Sequence, residues 1–556
     1  MSRWLHYLPG MALGLFLARL GGEWVGLPGW WAAALLGLAL AAAGAWLLAR
    51  WPLRRTWPAL VLLVYVVYPE VNTGLAAWLA LLAVVTSVAR DSYPASSPGP
   101  RDKNPVPRWP LVETALFLAF LALYALNLAP DVLAADSGEL QVVAAQLGVA
   151  HPPGFPLYVM LAHLFTRLPF DSPAYAVNLL SAVAAALTVA LTYRVGLVLT
   201  GRRLPALLGA AALGTATTFW SQATTANVRS LTALFAALIL LALLHFRAAT
   251  ARGDGRRAGR WLVAAALFMG FGLTHHVSLA FLILVGLLFV LVVDRGLWRQ
   301  PRRWLPAAGA GLLGLLPLLY LPWRAAADVR GASPDLATLS GFLEHVLATG
   351  FRGDLFYFTA PALLWERLRV MGNVMTFQFA PLLLAGMALG LLALLRRDRA
   401  AALLLGGAFV VYTLIAATYR APQTVEYMMP AYVPAALCLA YAGAEARWLS
   451  GAGRLWAVAG PLFTALMFVA VLHQGFGHVS ASGARHEGTS ARDYAASLLA
   501  SAPPDSVVLA HWHWATPLWY LQGVEGQRPD VDVRFVFPEG EPYDATWARR
   551  TTEAFA

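Results

Sequence analysis

The chain has almost no cysteine and little charge. Its one cysteine in 556 residues, Cys438, lies inside an apolar run, which excludes an intrachain disulfide and any thiolate metal cluster. Only 12% of the residues are charged, 59% are hydrophobic, and the mean hydropathy is +0.62. A soluble chain of this length carries far more polar surface. Neither a G-x-x-x-x-G-K-[ST] run nor a dinucleotide fingerprint occurs, so nothing supports direct use of ATP or NAD. Energy for any reaction must then arrive with an activated substrate.

What the chain does have is apolar length. A helix needs about 20 residues to cross the roughly 30 Å hydrocarbon layer. That rule predicts spans near 7–24, 28–49, 57–69 and 73–89, then near 111–129, 174–199, 204–220, 228–247, 261–275, 277–293 and 304–322. Four more follow near 371–395, 401–418, 428–446 and 455–473, about fifteen in all. The expected fold class is an all-α polytopic membrane protein. The expected organisation is a four-span extension (1–90), a polar, proline-rich linker (91–110), a transmembrane core (111–475) and a soluble tail (476–556). The basic start and short apolar core of MSRWLHYLPGMALGLFLARL resemble a signal peptide, but more spans follow at once, so a retained first span is expected.

The formal net charge of +11 suggests a nucleic-acid partner only until its distribution is considered. Arginines gather in alternate loops, among them Arg54 and Arg55, Arg202 and Arg203, Arg256 and Arg257, Arg302 and Arg303, and Arg396 and Arg397. These are the cytoplasmic loops, and no nucleic acid is expected. The opposite loops contain the stretch 129–158, the THHVS and YRAPQTVEY corners and the tail. The expected location is therefore multi-pass in a bacterial inner membrane, with the N-terminus cytoplasmic and the tail on the outer, periplasmic face.

Residues 129–158, APDVLAADSGELQVVAAQLGVAHPPGFPLY, combine three carboxylates and a histidine, Asp131, Asp136, Glu139 and His151, with no Lys or Arg. Leu140, Val143, Ala144 and Leu147 fall at helical spacing and predict one apolar stripe on a short helix lying flat on the membrane. Residues 154–170 are short for a span and bracketed by proline, so a second interfacial or re-entrant helix is expected there. Two compatible readings fit D-S-G-E. In one, Asp136 is the helix N-cap and Glu139 reaches back to it. In the other, an outward carboxylate removes the proton from an acceptor hydroxyl, a role typically worth about 10² to 10⁴ in rate. His151 either holds the HPPGFP turn by a hydrogen bond or donates to a phosphate or sugar oxygen.

Elsewhere the candidates are cationic. Arg324 either snorkels from a span end or grips a lipid phosphate with its fork of donors. Arg229 and Arg420 stand at outer ends of spans, against the charge rule, and are candidate substrate binders. His275 and His276 diverge by about 100° on a helix, so they do not share a metal, and one of them faces the cavity. Glu426 pairs with Arg420 or contacts substrate. HWHW (511–514) places two histidines on one face of a strand, a weak metal signal, and no metal is predicted. In the tail, SVVLAHW and VDVRFVF are β-rich and flank a helical TPLWYLQGVEG, which predicts a small β-α-β element.

The block DSGELQVVAAQLGVAHPPGFPLYVMLAHLFTRLP, followed by AVNLLSA, THHVS, YLPWRA, EYMMPAY and PLWYLQGVEGQRPDV, resembles a family of multi-span proteins first catalogued as a domain of unknown function. Its animal member is a transmembrane protein O-mannosyltransferase. The resemblance covers roughly residues 111–535 and leaves the first four spans outside. It implies a GT-C class glycosyltransferase, an inverting enzyme that takes its sugar from a polyprenyl-phosphate donor and needs no cofactor. It further implies a protein or glycan acceptor and an acid on the first outer loop, which falls on Asp136 with Glu139 as the other candidate. The family's acidic run before P-L-W-Y-L-Q is replaced here by HWHWAT, a departure that leaves any contribution of the tail unsupported. Two other classes compete: a lipid or solute transporter, which predicts charge in mid-membrane and paired repeats with broken helices, and a non-catalytic envelope assembly protein.

Overall fold

The computed structural model describes residues 3–25, 30–50, 56–67, 76, 79–80, 83, 111–351, 353–420, 423–446, 459–480, 490–536 and 542–555. Most of the expected fourth span and the whole linker 91–110 lie outside the described residues. At the N-terminal end, α1 (Leu8–Val25) and α2 (Trp30–Leu48) pack side by side, and a 3-10 turn leads into α3 (Leu63–Val67).

The core begins with α4 (Leu111–Ala125), then two short helices, α5 (Ala135–Gln146) and α6 (Pro156–Phe165). At about 1.5 Å per residue, the ten residues of α6 are too short to cross the membrane, as expected. The long helix α7 (Pro173–Thr200) follows, then α8 (Arg203–Gly214), α9 (Thr217–Ala223), α10 (Arg229–Ala251), α11 (Gly255–His275) and α12 (Leu279–Val293). The expected single span 204–220 is two helices, because the chain turns through Thr215 and the extended Ala216. After α13 (Pro301–Gly314), α14 (Tyr320–Ala325) and α15 (Leu339–Val346) come α16 (Pro361–Gln378) and α17 (Pro381–Arg397). The span expected at 371–395 is broken there by 114°. Pro381 offers no N–H and drives Ala380 out of the helical region, to φ −53°, ψ 142°.

The bundle closes with α18 (Arg399–Thr418), the short α19 (Thr424–Tyr427), α20 (Met429–Glu445) and α21 (Ala459–Ser480). Every residue of α20 from Met429 to Ala444 is buried, against α7, α8, α10, α17 and α18. Its alanines allow the close helix approach on which packing in a bilayer depends. Among the described residues, five helices are long and apolar enough to span a membrane, or six if the bent pair counts as one. This is fewer than the roughly fifteen apolar runs suggested, because several of those runs fold as shorter apolar helices, including 111–125, 203–214 and 279–293.

The tail forms α22 (Ser490–Ser501), β1 (Val507–Ala510), α23 (Trp512–Gly523), β2 (Asp532–Phe535) and α24 (Tyr543–Phe555). The two strands are parallel, with Val507 opposite Asp532 and Ala510 opposite Phe535, so the β-α-β element is as expected. Its core does not stand alone. Ala495, Leu499, Leu518, Tyr520, Leu521 and Val533 form one buried cluster with Val132, Val142 and Ala174 of the 129–174 region.

Candidate functional site

The stretch 129–158 is held by a buried amide pair. Gln141 accepts from the backbone N–H of Leu133 (2.9 Å) and donates to Asn178 Oδ1 (3.0 Å). Asn178 in turn donates to the carbonyl of Ala129 (2.8 Å) and accepts from the N–H of Ala226 (2.8 Å). With these groups satisfied, α5 can be buried from Gly138 to Ala144 without a break. The single apolar stripe predicted for a membrane-surface helix is thus corrected: α7 packs on one side of α5 and the tail module's α23 on another. Gly138 permits that closure, since a Cβ there would lie 2.2 Å from the Leu133 carbonyl oxygen and 2.7 Å from Thr516 Oγ1.

The capping reading of D-S-G-E is also corrected. The N-cap is Ala134, with no side-chain cap, and Ala135 takes a left-handed φ of 56°, a strained conformation for a residue with a Cβ. Asp136 therefore stands in the first turn, half-buried. Its Oδ1 accepts from the indole Nε1–H of Trp512 (2.8 Å) and its Oδ2 from the amide of Gln423 (3.2 Å).

Glu139 points elsewhere. It is only 7% exposed, accepts from the backbone N–H of His151 (2.8 Å) and closes on Nδ1 of the same ring. Burial works against charge on that imidazole, but Glu139 beside it, with Asp136 further off, outweighs burial and pushes its pKa up from the usual value. The ring packs edge-on against Phe155 and Trp512, with centroids at 5.3 and 6.2 Å. Gly154, in the same turn at φ +83°, leaves no room for a Cβ, which would lie 2.8 Å from Leu321 and 2.9 Å from His345.

Arg229, 7% exposed, supplies the opposite charge. One terminal nitrogen lies 2.8 Å from His276 Nε2, the other donates to Gln423 Oε1 (3.4 Å), and the guanidinium sits 3.9 Å from the Tyr427 ring centre. Gln423 thus spans from the cation to Asp136, its oxygen toward Arg229 and its nitrogen toward the carboxylate. His276 stacks on Phe155 at 5.7 Å and faces this cluster. His275 turns inward to the Val228 carbonyl (2.8 Å) and Thr232 (3.0 Å), so the expected divergence of the two histidines holds.

Three other candidates lie outside the cluster. Arg324 donates from Nε to the Leu147 carbonyl (2.7 Å), and Tyr320 donates to that of Gly148 (2.7 Å). Together they close the C-terminal end of α5. Arg420 pairs with Asp354 (2.7 Å) and lies over Tyr357 (4.3 Å), not with Glu426. Glu426 is half-exposed on α19. HWHW is not a strand: His511 is the N-cap of α23 and the next three residues are helical. Among the described residues no group of three or more His, Cys, Asp or Glu is placed to hold a metal. Sequence reasoning missed Gln423, Tyr427 and Trp512. The one available signal was that two polar corners and an aromatic run share the loop set that holds Asp136.

A helix bundle with an acid on a short helix between α4 and α7, and an α/β module seated on that helix, is a fold shared with a solved membrane protein. The structure of ArnT from Cupriavidus metallidurans bound to undecaprenyl phosphate matches it with a TM-score of 0.51 at 14% identity, over 79% of this chain and 88% of that one. That likeness is one of fold. Residues 136–299 match the family described as the protein O-mannosyl-transferase TMEM260 N-terminal domain, in agreement with the resemblance carried by the D-S-G-E block. The chain is 34% identical over 240 residues to protein O-mannosyl-transferase TMEM260 of Mus musculus, covering 42% of this chain and 33% of that protein. It is 26% identical over 245 residues to the Dictyostelium discoideum protein of that name, covering 42% of this chain and 30% of the relative. The chain thus spans about a third of the length of these curated relatives.

Proposed function

We propose that the chain is a membrane glycosyltransferase that moves a sugar, mannose in the sharpest form, from a polyprenyl-phosphate donor to an acceptor hydroxyl, a protein Ser or Thr, on the outer face of a bacterial inner membrane. The observation that carries this reading is the bridge Arg229–Gln423–Asp136, which sets a buried cation and a half-buried carboxylate on the two sides of one amide. Asp136 takes the proton of the acceptor hydroxyl as its oxygen attacks the anomeric carbon. The bond from that carbon to the phosphate oxygen breaks, and its electron pair leaves on the polyprenyl phosphate. Attack opposite the leaving group inverts the anomeric centre.

Arg229 and the His151 ring meet the charge that develops on the phosphate, the kind of preorganised electrostatic help that gives the largest single contribution in many enzymes. Glu139 orients His151 and favours its protonated form. We assign no metal or cofactor to the step. The test is to incubate the purified full chain in lipid nanodiscs with radiolabelled polyprenyl-phosphate sugars and an envelope extract. Label in protein, released by mild base, is expected from the mannosyl donor; no label from any donor overturns the reading.

A further inference from the structure

The tail module is fastened to the stretch that carries Asp136 at several points. Arg492 on α22 forms ion pairs with Asp131 and with Glu525, the Tyr520 hydroxyl accepts from the N–H of Ala174 (3.1 Å), and Gln146 donates to the Gly523 carbonyl (2.6 Å). Trp512 stands at the first turn of α23, where its indole N–H meets Asp136 and its ring lies against His151, Trp519 and Phe535. An indole nitrogen is a donor only. Aimed at a carboxylate, it fixes one oxygen and leaves the other for Gln423, whose own oxygen is held by Arg229.

We propose that Trp512 is a positioning residue for Asp136, with Gln423 as its counterpart across the carboxylate, so that the tail module is a working part of the site. This rests on the transferase reading above. A carboxylate clamped from two sides presents its remaining lone pairs in one direction, and a general base must lie within hydrogen-bond reach of the proton it takes. With the indole N–H gone, Asp136 keeps its charge but samples rotamers in which it does not face the acceptor. The turnover step then slows while the donor, held at Arg229 and His151, binds as before.

The test compares Trp512→Phe with Trp519→Phe in the full chain. Trp519 lies on the same helix, but its N–H goes to the Val533 carbonyl (3.0 Å) inside the module, so Trp519→Phe removes an indole N–H that does not reach Asp136. Trp512→Phe is expected to lower kcat about tenfold or more with the donor KM within about twofold, and Trp519→Phe to leave both near wild type. Unchanged kcat in Trp512→Phe, or equal losses in the two variants, overturns the proposal. A second readout does not need activity. In protein labelled with 15N at the indoles, the Trp512 Nε1–H resonance, assigned by its loss in Trp512→Phe, is expected to move in Asp136→Asn. A resonance that stays put overturns the positioning contact, whereas absent transfer in wild type with a moving resonance counts only against the transferase reading.

Discussion

Replacing Glu139 by Gln is expected to change how stability and activity depend on pH, because the Glu139 carboxylate is buried and spends both oxygens on His151. The introduced amide keeps the shape and can still accept from the His151 N–H, but it removes the charge that favours the protonated imidazole. A hydrogen bond to a charged group contributes about 1.5–3 kcal/mol. The His151 side chain is 30% exposed, so the lower end, about 1.5 kcal/mol, is the expected loss at acidic pH. A histidine whose folded pKa lies above its unfolded value stabilises the fold fully below that unfolded value, and the contribution fades as pH rises through the folded value. With the His151 pKa raised from 6.5, wild type should lose stability as pH climbs from 6.5 past the raised value, and Glu139→Gln should lose less. Thermal unfolding in detergent from pH 5.5 to 8.5 measures this, together with transfer rate, which should fall at lower pH in the variant. Parallel curves for the two proteins refute the pairing.

Arg229→Lys keeps the charge but loses the planar fork, and should raise the donor KM by about tenfold in steady-state assays. Gly138→Val puts side-chain atoms where the Leu133 carbonyl and Thr516 now sit; faster hydrogen exchange in residues 507–535 should show the module lifting from α5. Arg420→Ala removes an exposed pair with Asp354 that lies outside the cluster, and transfer should stay within about twofold of wild type, as exposed ion pairs contribute little.

The sequence made some of this legible for definite physical reasons. Charge is scarce in the chain, so the acids of residues 129–158 stood out, and β-branched runs on either side of TPLWYLQ read as a β-α-β element. Apolar runs revealed most long helices. What escaped was set by contacts between distant segments. The stripe on α5 looked complete, but its other side is covered by a helix 376 positions later, counting from Asp136 to Trp512. Three-residue spacing suggested that Asp136 and Glu139 cap the helix, whereas Asp136 meets Trp512 and Gln423 and Glu139 meets His151. Gln423 carries no charge and sits in no motif, so only the fold reveals that it joins Arg229 to Asp136. Arg420 and Glu426 were close in sequence, yet Asp354 is the nearer partner in space.

Whether Asp136 is the base of a transfer reaction is decided by single-turnover transfer from a radiolabelled polyprenyl-phosphate mannose to an acceptor, by wild type and by Asp136→Asn at saturating donor. The asparagine keeps the size of the side chain but cannot take the proton. Asp136→Asn is expected to lose about 10² or more in rate with donor binding unchanged. Transfer by Asp136→Asn at the wild-type rate contradicts it.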